Sequence, residues 1–572
     1  DNAIAIMDSK KKLALFYTGK EIEDRELQVH FEKYLPAYMI PYRFVYMEQF
    51  PLSKNGKIDR AALLQIPELK EESEISAPAN EIEMKISVIW GKYLESDQVS
   101  VDENFFALGG DSIIAQRIAQ ELTKQFAVKI PFVKIVETGT VKELARFIQA
   151  ETESKEEPKA TLLSENQGEK TVEASQTELP MTNIQKAYFN GRNDSFELAN
   201  YNAHYYFEVE FPYEISDIER SIAQMLERHE VLRSIFLKNG TQKILADVPE
   251  YKVDITIAET EQEFAEKNEQ MRRELSHKNY DFSKWPLFTF EVLKRGCDDF
   301  KILCASINLM VCDGDSLRIF LKEFTEGLNN KKLPPIHYSY HEYVNSLNDC
   351  TNEREYQEAK AYWLNKIPCF PEFPHLPMLK NLTQCKNYRI SRVSETIDAE
   401  TWGTFKNTVR KHAVSPSTVL CTIYARVLAK WSNQKDLLLN MTAFERKEFD
   451  QNVSGILGDF TKILPLEVHI DGADFWDNAM QIQTRILNNL DYKAFDGTEI
   501  IRELSRLSNG IGKALMPVVF TCVLFDSDEN WFEQIGKLRY AVTQTPQVFL
   551  DNQILEMKHE LYISWDYVED LF

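Results

Sequence analysis

At 572 residues the chain is too long for one compact core, so about two to four domains are expected. Apolar residues make up 44% and charged residues 27%, the balance of a protein that folds in water. A formal charge of −23 argues against nucleic-acid binding, which needs clustered Lys and Arg to neutralise phosphates. All eight cysteines fall between Cys297 and Cys522 and none forms a CxxC pair. Reduced thiols in the cytoplasm are therefore expected, with no metal site and no disulfide framework. No apolar run approaches the roughly 18 residues of a membrane span, and no basic-then-apolar leader opens the chain.

Taken in order, residues 1–66 read as strand, turn, strand, then a helix and a Pro- and Gly-punctuated tail, "LPAYMIPYRFVYMEQFPLSKNGKIDRAAL". The chain starts in mid-fold and is expected to be part of something longer. Residues 67–78, charged and Pro-containing, read as a linker. From 79 to 150 apolar residues recur every three to four positions in "EIEMKISVIWGKYLE", "DSIIAQRIAQELTKQF" and "TVKELARFIQAE", which predicts a small three- or four-helix bundle. Residues 151–176 hold few large apolar groups and read as a flexible tether. Residues 177–572 alternate strand-like runs with helical ones, a large α/β unit expected to form two lobes, about 177–345 and 346–572.

Three stretches carry chemistry. In "FFALGGDSIIAQRIAQEL" the glycine pair permits a tight turn, Asp111 is a plausible N-cap, and Ser112 opens a helix. A helix N-terminus favours an attached phosphate, although a bare Gly-Gly-Asp-Ser is more often only a cap. In "SINLMVCDGDSLRIF" an apolar strand ends in Asp313, Gly314 and Asp315 before a helix. In "LMPVVFTCVL" and "TQTPQVFLD" a Thr and an Asp stand in apolar strands, where a lone Thr is usually a satisfied core hydroxyl and an Asp is often a turn residue.

The "FFALGGDSIIAQRI" stretch resembles the carrier-protein motif of nonribosomal peptide synthetases. That resemblance implies 4′-phosphopantetheine attached to Ser112 by a phosphopantetheinyl transferase, with the arm's thiol carrying an acyl group. "LPAYMIP" and "NGKIDR" resemble late motifs of an adenylation domain's small α+β C-terminal subdomain. There Lys57 would offset charge during adenylate formation. The large adenylation core is absent from the chain and would be an upstream partner.

Residues 177–572 resemble the heterocyclisation (Cy) branch of the condensation superfamily. The matching pieces run in order: "LPMTNIQKAYFNGR", "RHEVLRSIFLKNGTQ", "IPCFPEFPHLPML", "SPSTVLCTIYARVLAKW", "GDFTKILPLEV", "LMPVVFTCVL" and "TQTPQVFLD". The family fold is a pair of chloramphenicol-acetyltransferase-like lobes with a tunnel at their junction. The implied reaction condenses the carried acyl donor with Cys, Ser or Thr on a downstream acceptor carrier. Cyclodehydration then gives a thiazoline or oxazoline. Carried over position by position, Thr521 and Asp551 would be the cyclodehydration pair, with Gln547 supporting.

The family's Asp-x4-Asp-x2-Ser pattern falls on Asn308, Asp313 and Ser316, so the first position departs from it. Asp313 belongs to the family's active-site motif, and a bracing role through an arginine is expected for it. An ordinary condensation domain uses two histidines, three residues, then Asp-Gly. Those histidine positions hold Asn308 and Leu309, and Leu cannot accept a proton. A Cy-type domain that only forms the amide, or a docking platform without chemistry, remains open. The missing core subdomain yields a first prediction: the chain should show no amino-acid-dependent exchange of pyrophosphate with ATP, and robust exchange would refute it.

Overall fold

A computed structural model describes residues 2–7, 13–20, 43–47, 76–94, 99–103, 112–126 and 138–153, with isolated positions between them. It also describes 178–572 apart from 194–195, 200, 299, 350–352, 386–387, 448, 451, 472–473, 509–511, 525–531 and 534. Lys57, Gly109, Gly110 and Asp111, and the tether beyond residue 153, lie outside the described residues. The chain divides into two compact units, Asp1–Thr161 with Phe405–Pro416, and Leu162–Thr404 with Ser417–Phe572.

In the first unit, β1 (Asn2–Met7), β2 (Leu13–Thr18) and β3 (Arg43–Tyr46) form a sheet in that order, antiparallel then parallel. Phe16, Val45 and Leu63 are buried together against it. Helices Glu81–Tyr93, Ser112–Phe126 and Val141–Glu153 follow. The first is capped by Asn80, whose side chain accepts from Glu83 N at 2.8 Å. Trp90 packs edge-on against Phe105, and both are fully buried.

The second unit holds three sheets. Its strands are β4 (Glu178–Pro180), β5 (His204–Glu210), β6 (Ser234–Phe236), β7 (Thr241–Ile244), β8 (Asp254–Ala258), β9 (Phe288–Arg295) and β10 (Lys301–Asn308). The later strands are β11 (Ile390–Ile397), β12 (Asp436–Phe444), β13 (Thr461–His469), β14 (Val518–Leu524), β15 (Lys537–Gln544), β16 (Leu550–Met557) and β17 (Glu560–Val568). A small sheet runs β4-β7-β6, a five-stranded sheet β15-β5-β10-β9-β8, and a six-stranded sheet β11-β17-β16-β14-β12-β13. The last two form the cores of the two lobes. The five-stranded sheet of the first lobe takes β15 from the far end of the chain, a crossover that a simple cut near residue 345 does not anticipate.

Every residue of β10 is buried because helices cover both faces of its sheet. On one face Phe290 stacks on Phe320 and Phe324 of helix Gly314–Leu328, with ring centroids 6.1 and 5.7 Å apart. Full burial of each such ring is worth about 1.5–3 kcal/mol. On the other face Arg272 of helix Glu261–Leu275 grips the buried Glu208 through Nε and Nη2 at 2.6 and 2.7 Å. In the second lobe β14 pairs parallel with both β12 and β16, and its run "VVFTCVL" has the apolar, β-branched composition such a buried strand needs. Among the described residues no helix is long and apolar enough to cross a membrane, no His/Cys/Asp/Glu group could hold a metal ion, and the cysteines are free thiols.

Candidate active site at the lobe junction

Strand register assembles one polar patch on the second lobe's sheet. Paired strands place directly opposite residues on the same face, and residues two apart share that face. One row reads Val519, Asp551, Asp566, Arg392 across β14, β16, β17 and β11. The next reads Thr521, Gln553, Ser564, Ser394. Thr521 and Asp551 thus stand diagonally, with Thr521 Oγ1 3.5 Å from Asp551 Oδ1, at the long end of hydrogen bonding. Thr521 is buried and Asp551 half-buried. Burial, then the nearby Asp566, pushes the Asp551 carboxyl up to about 7, against opposing pulls from Gln553, Arg392 and Thr521. A carboxyl poised there can both give and take a proton near neutral pH.

β15 brings the first lobe to this patch. Thr543 pairs with Tyr205 of β5 in the first sheet, yet its hydroxyl reaches Asp566 and Gln553 in the second. Tyr205 extends the junction the other way. Its hydroxyl lies 3.1 Å from where a Cβ on Gly314 would stand, and Phe444 Cζ lies 2.9 Å from the same point, so a side chain at position 314 would have to displace these rings. Burial raises the Tyr205 phenol, and the charges of Asp551 and Asp313 raise it further.

The strand-end cluster is built as a brace. Asp313 caps helix Gly314–Leu328: Oδ1 accepts from Ser316 N at 2.7 Å and Oδ2 from Phe460 N at 2.8 Å. The arginine expected beside it is Arg446, with Nη2 4.0 Å from Asp313 Oδ1. Arg446 also donates from Nε to Asp315 at 2.8 Å, from Nη2 to Ser316 Oγ at 2.8 Å and from Nη1 to Ile456 O at 2.5 Å, and it lies over the Phe460 ring at 3.9 Å. Ser316 Oγ in turn donates to Gly458 O at 2.8 Å. Burial raises Asp313, while Arg446 and the backbone N–H donors pull it down. Asp459 is raised well above the usual carboxylate range by burial and by Asp313. Its Oδ2 has no hydrogen-bond partner among the described residues, whereas both oxygens of Asp313 accept backbone N–H donors.

Asn308 is fully buried at the end of β10, and its Oδ1 accepts from Met310 N at 3.0 Å, which closes the turn after the strand. Its Nδ2 has no partner among the described residues. Gln547 has a positive φ of 63° and its backbone N–H donates to Leu198 O at 3.2 Å, where φ is 52°. Two strained backbones therefore hold each other beside the start of β16. His229 is paired with Glu323 at 2.6 Å, and Arg228 grips the same carboxylate at 2.9 and 3.0 Å, an arrangement that fixes one helix against another. Sequence reasoning missed Gln553, Thr543, Arg392 and Arg446. The only local signal was Gln553 two residues after Asp551 in a strand.

Residues 175–572 match the family described as Condensation domain, and residues 85–148, which include Ser112, match Phosphopantetheine attachment site. The chain belongs to the condensation-domain family. It also bears a covalently attached 4′-phosphopantetheine, and helix Ser112–Phe126 suits an anionic group at its head because its first turn holds no acidic residue. Bacitracin synthase 1 of Bacillus licheniformis is 31% identical over 99% of this chain, which spans 11% of that protein. Pyochelin synthetase PchF of Pseudomonas aeruginosa is 28% identical over 69% of this chain, which spans 22% of it. Among solved structures, the EpoB NRPS cyclization-docking bidomain from Sorangium cellulosum superposes with a TM-score of 0.64 at 26% identity, over 69% of this chain and 81% of that one. The X-domain from teicoplanin biosynthesis shares the fold, with a TM-score of 0.56 at 16% identity over 70% of this chain and 92% of that one.

Two predictions follow from the brace. Asp313→Ala strands two buried N–H groups and should destabilise the lobe by about 2–4 kcal/mol in chemical denaturation, with Asp313→Asn losing less. Asn308→Asp keeps the acceptor for Met310 N but places an ionisable carboxyl in a fully buried site, so it should cost about 1–3 kcal/mol in the same measurement. A gain in stability would show that the native Asn is the poorer fit at this strand end.

Proposed function

We propose that the chain works within a nonribosomal peptide synthetase and that its condensation-family domain is of the heterocyclisation type. The observation that carries the reading is the Thr521–Asp551 pair, with a carboxyl raised to about 7 facing the lobe junction. The likeness to a structure described as a cyclization-docking bidomain supports it. Leu309 at the position of a histidine base speaks against an ordinary condensation domain.

Ser112 is the proposed attachment point, loaded by a phosphopantetheinyl transferase. When bound, the arm supplies the thiol that carries the acyl donor. Residues 1–66, 79–150 and 177–572 then act as adenylation tail, carrier and Cy domain. The first residues work with an adenylation core outside this chain, and the acceptor is Cys, Ser or Thr on a downstream carrier.

The acceptor amine attacks the acyl carbonyl to give an amide, as the thioester C–S bond breaks and the departing sulfur takes up the proton the amine loses. The acceptor's thiol or hydroxyl then adds to the amide carbonyl and closes the ring. Loss of water requires an acid near the departing hydroxyl and a base for the ring N–H. Asp551 serves both needs, and Thr521 holds the hydrogen bond beside it. Asp313, with both oxygens engaged, braces the junction together with Ser316 and Arg446. Gln547 shapes the loop leading to Asp551.

A second reading, a Cy-type domain that forms only the amide, is favoured by the Asn308 departure. One assay separates the two. Holo protein acylated on its carrier is mixed with a cysteinyl acceptor carrier, and products are weighed by mass spectrometry. Amide minus water is expected from the parent. Thr521→Ala and Asp551→Asn should accumulate the open amide, with ring closure falling by about 10²–10⁴-fold for Asp551→Asn. Normal ring closure in both variants would sink the assignment.

A further inference from the structure

Asp551 stands at one end of a hydrogen-bond chain whose direction is fixed at the other end. Arg392 can only donate. Its Nε and Nη2 grip Asp566 at 2.6 Å each, and Nη2 also reaches Gln553 Oε1 at 2.9 Å. The oxygen of the Gln553 amide must therefore face Arg392, which turns its nitrogen toward the site. That nitrogen donates to Asp551 Oδ2 at 2.8 Å and to Thr543 Oγ1. Having accepted there, Thr543 gives its own hydroxyl proton to Asp566 Oδ2, which also receives Thr543 N–H at 3.0 Å. Arg392, Asp566 and Gln553 are all shielded from solvent, so water does not blur the pattern.

The consequence falls on Asp551. Oδ2 is occupied as an acceptor of the Gln553 N–H, so in the neutral acid the proton belongs on Oδ1. That oxygen is the one beside Thr521 Oγ1. We propose that Gln553 is a positioning residue that decides which oxygen of Asp551 carries the transferable proton. The proposal deepens the cyclodehydration reading above and rests on it.

The step balances as follows. Asp551 Oδ1–H protonates the hydroxyl on the ring carbon, and the C–O bond breaks with its electron pair leaving in water. The nitrogen lone pair forms the C=N bond. The ring N–H proton passes to the Asp551 carboxylate, and the acid is restored. Gln553 takes no proton itself; its N–H keeps Oδ2 out of the exchange.

The groups that act on Asp551 come from several elements. Asp566 of β17 raises it, while Arg392 of β11, Gln553 of β16 and Thr521 of β14 lower it. Tyr205 of β5 and Tyr424 of helix Pro416–Ser432 are neutral phenols whose own ionisation Asp551 opposes. Removing the Gln553 donor withdraws a contact that favours the charged carboxylate. Asp551 should then stay protonated to higher pH, and the alkaline limb of ring closure should move up.

The test uses the holo full chain, acylated on its carrier, with a cysteinyl acceptor carrier. The ratio of cyclised to open product is followed across neutral pH for the parent, Gln553→Leu and Gln553→Glu. The Glu variant keeps the length and the Arg392 contact but loses the donor, so it separates donation from packing. Both variants should lower ring closure at least about tenfold at the parent's optimum and shift the alkaline limb upward by about one pH unit. A uniform loss with an unmoved limb, or a Glu variant that behaves like the parent, overturns the proposal. Asp551→Asn run alongside distinguishes the failures: if it still closes the ring, the reading of Asp551 has failed, and if it does not while the Gln553 profiles match the parent, only the positioning role has failed.

Discussion

The arrangement depends on one strand serving two sheets. β15 gives its backbone to the five-stranded sheet of the first lobe, paired with β5. Its Thr543 side chain enters the polar patch of the six-stranded sheet. The lobes are therefore joined by backbone hydrogen bonding on one side and by a buried ion-pair network on the other. Without that strand, Asp551 and Thr521 would lie on an open sheet face. Water would then compete for every proton, and the carboxyl would return toward its ordinary range.

The two carboxylate clusters at the junction are treated oppositely by their surroundings. Asp313 has donors on both oxygens and a guanidinium nearby, so its charge is spent on holding a helix start in place. Asp551 has one oxygen held and the other facing a hydroxyl, so its proton is available. Burial raises both, and the number and direction of the donors separates their uses. The fully buried Asn308 fits the first cluster, since its side-chain oxygen closes a turn.

Much of this was legible in the sequence where the signal is local. The helix beginning at Ser112 follows from a turn, a cap and a periodic apolar run. Asp313, at a strand end before a helical run, was expected to brace through an arginine; that it also caps the helix comes from the structure. Thr521 and Asp551 could be named only through resemblance, because a Thr in an apolar strand carries no mark of its own. The partners were not legible. Arg446 meets Ser316 across 130 residues, and Arg392 meets Gln553 across 161. Such pairs are set by sheet order and register, which a parallel strand pair reached through long crossovers leaves open in the sequence.

The strand register of the patch bears on how such chemistry could spread between related domains. Asp551, Gln553, Asp566, Arg392 and Thr521 occupy four different strands, and a one-residue slip in any of them would turn its contribution to the opposite face. A short motif copied into a relative would arrive without its neighbours. The polar patch is thus inherited as a stretch of sheet, and recombination that exchanged a whole lobe with its borrowed strand would carry it where point changes would not.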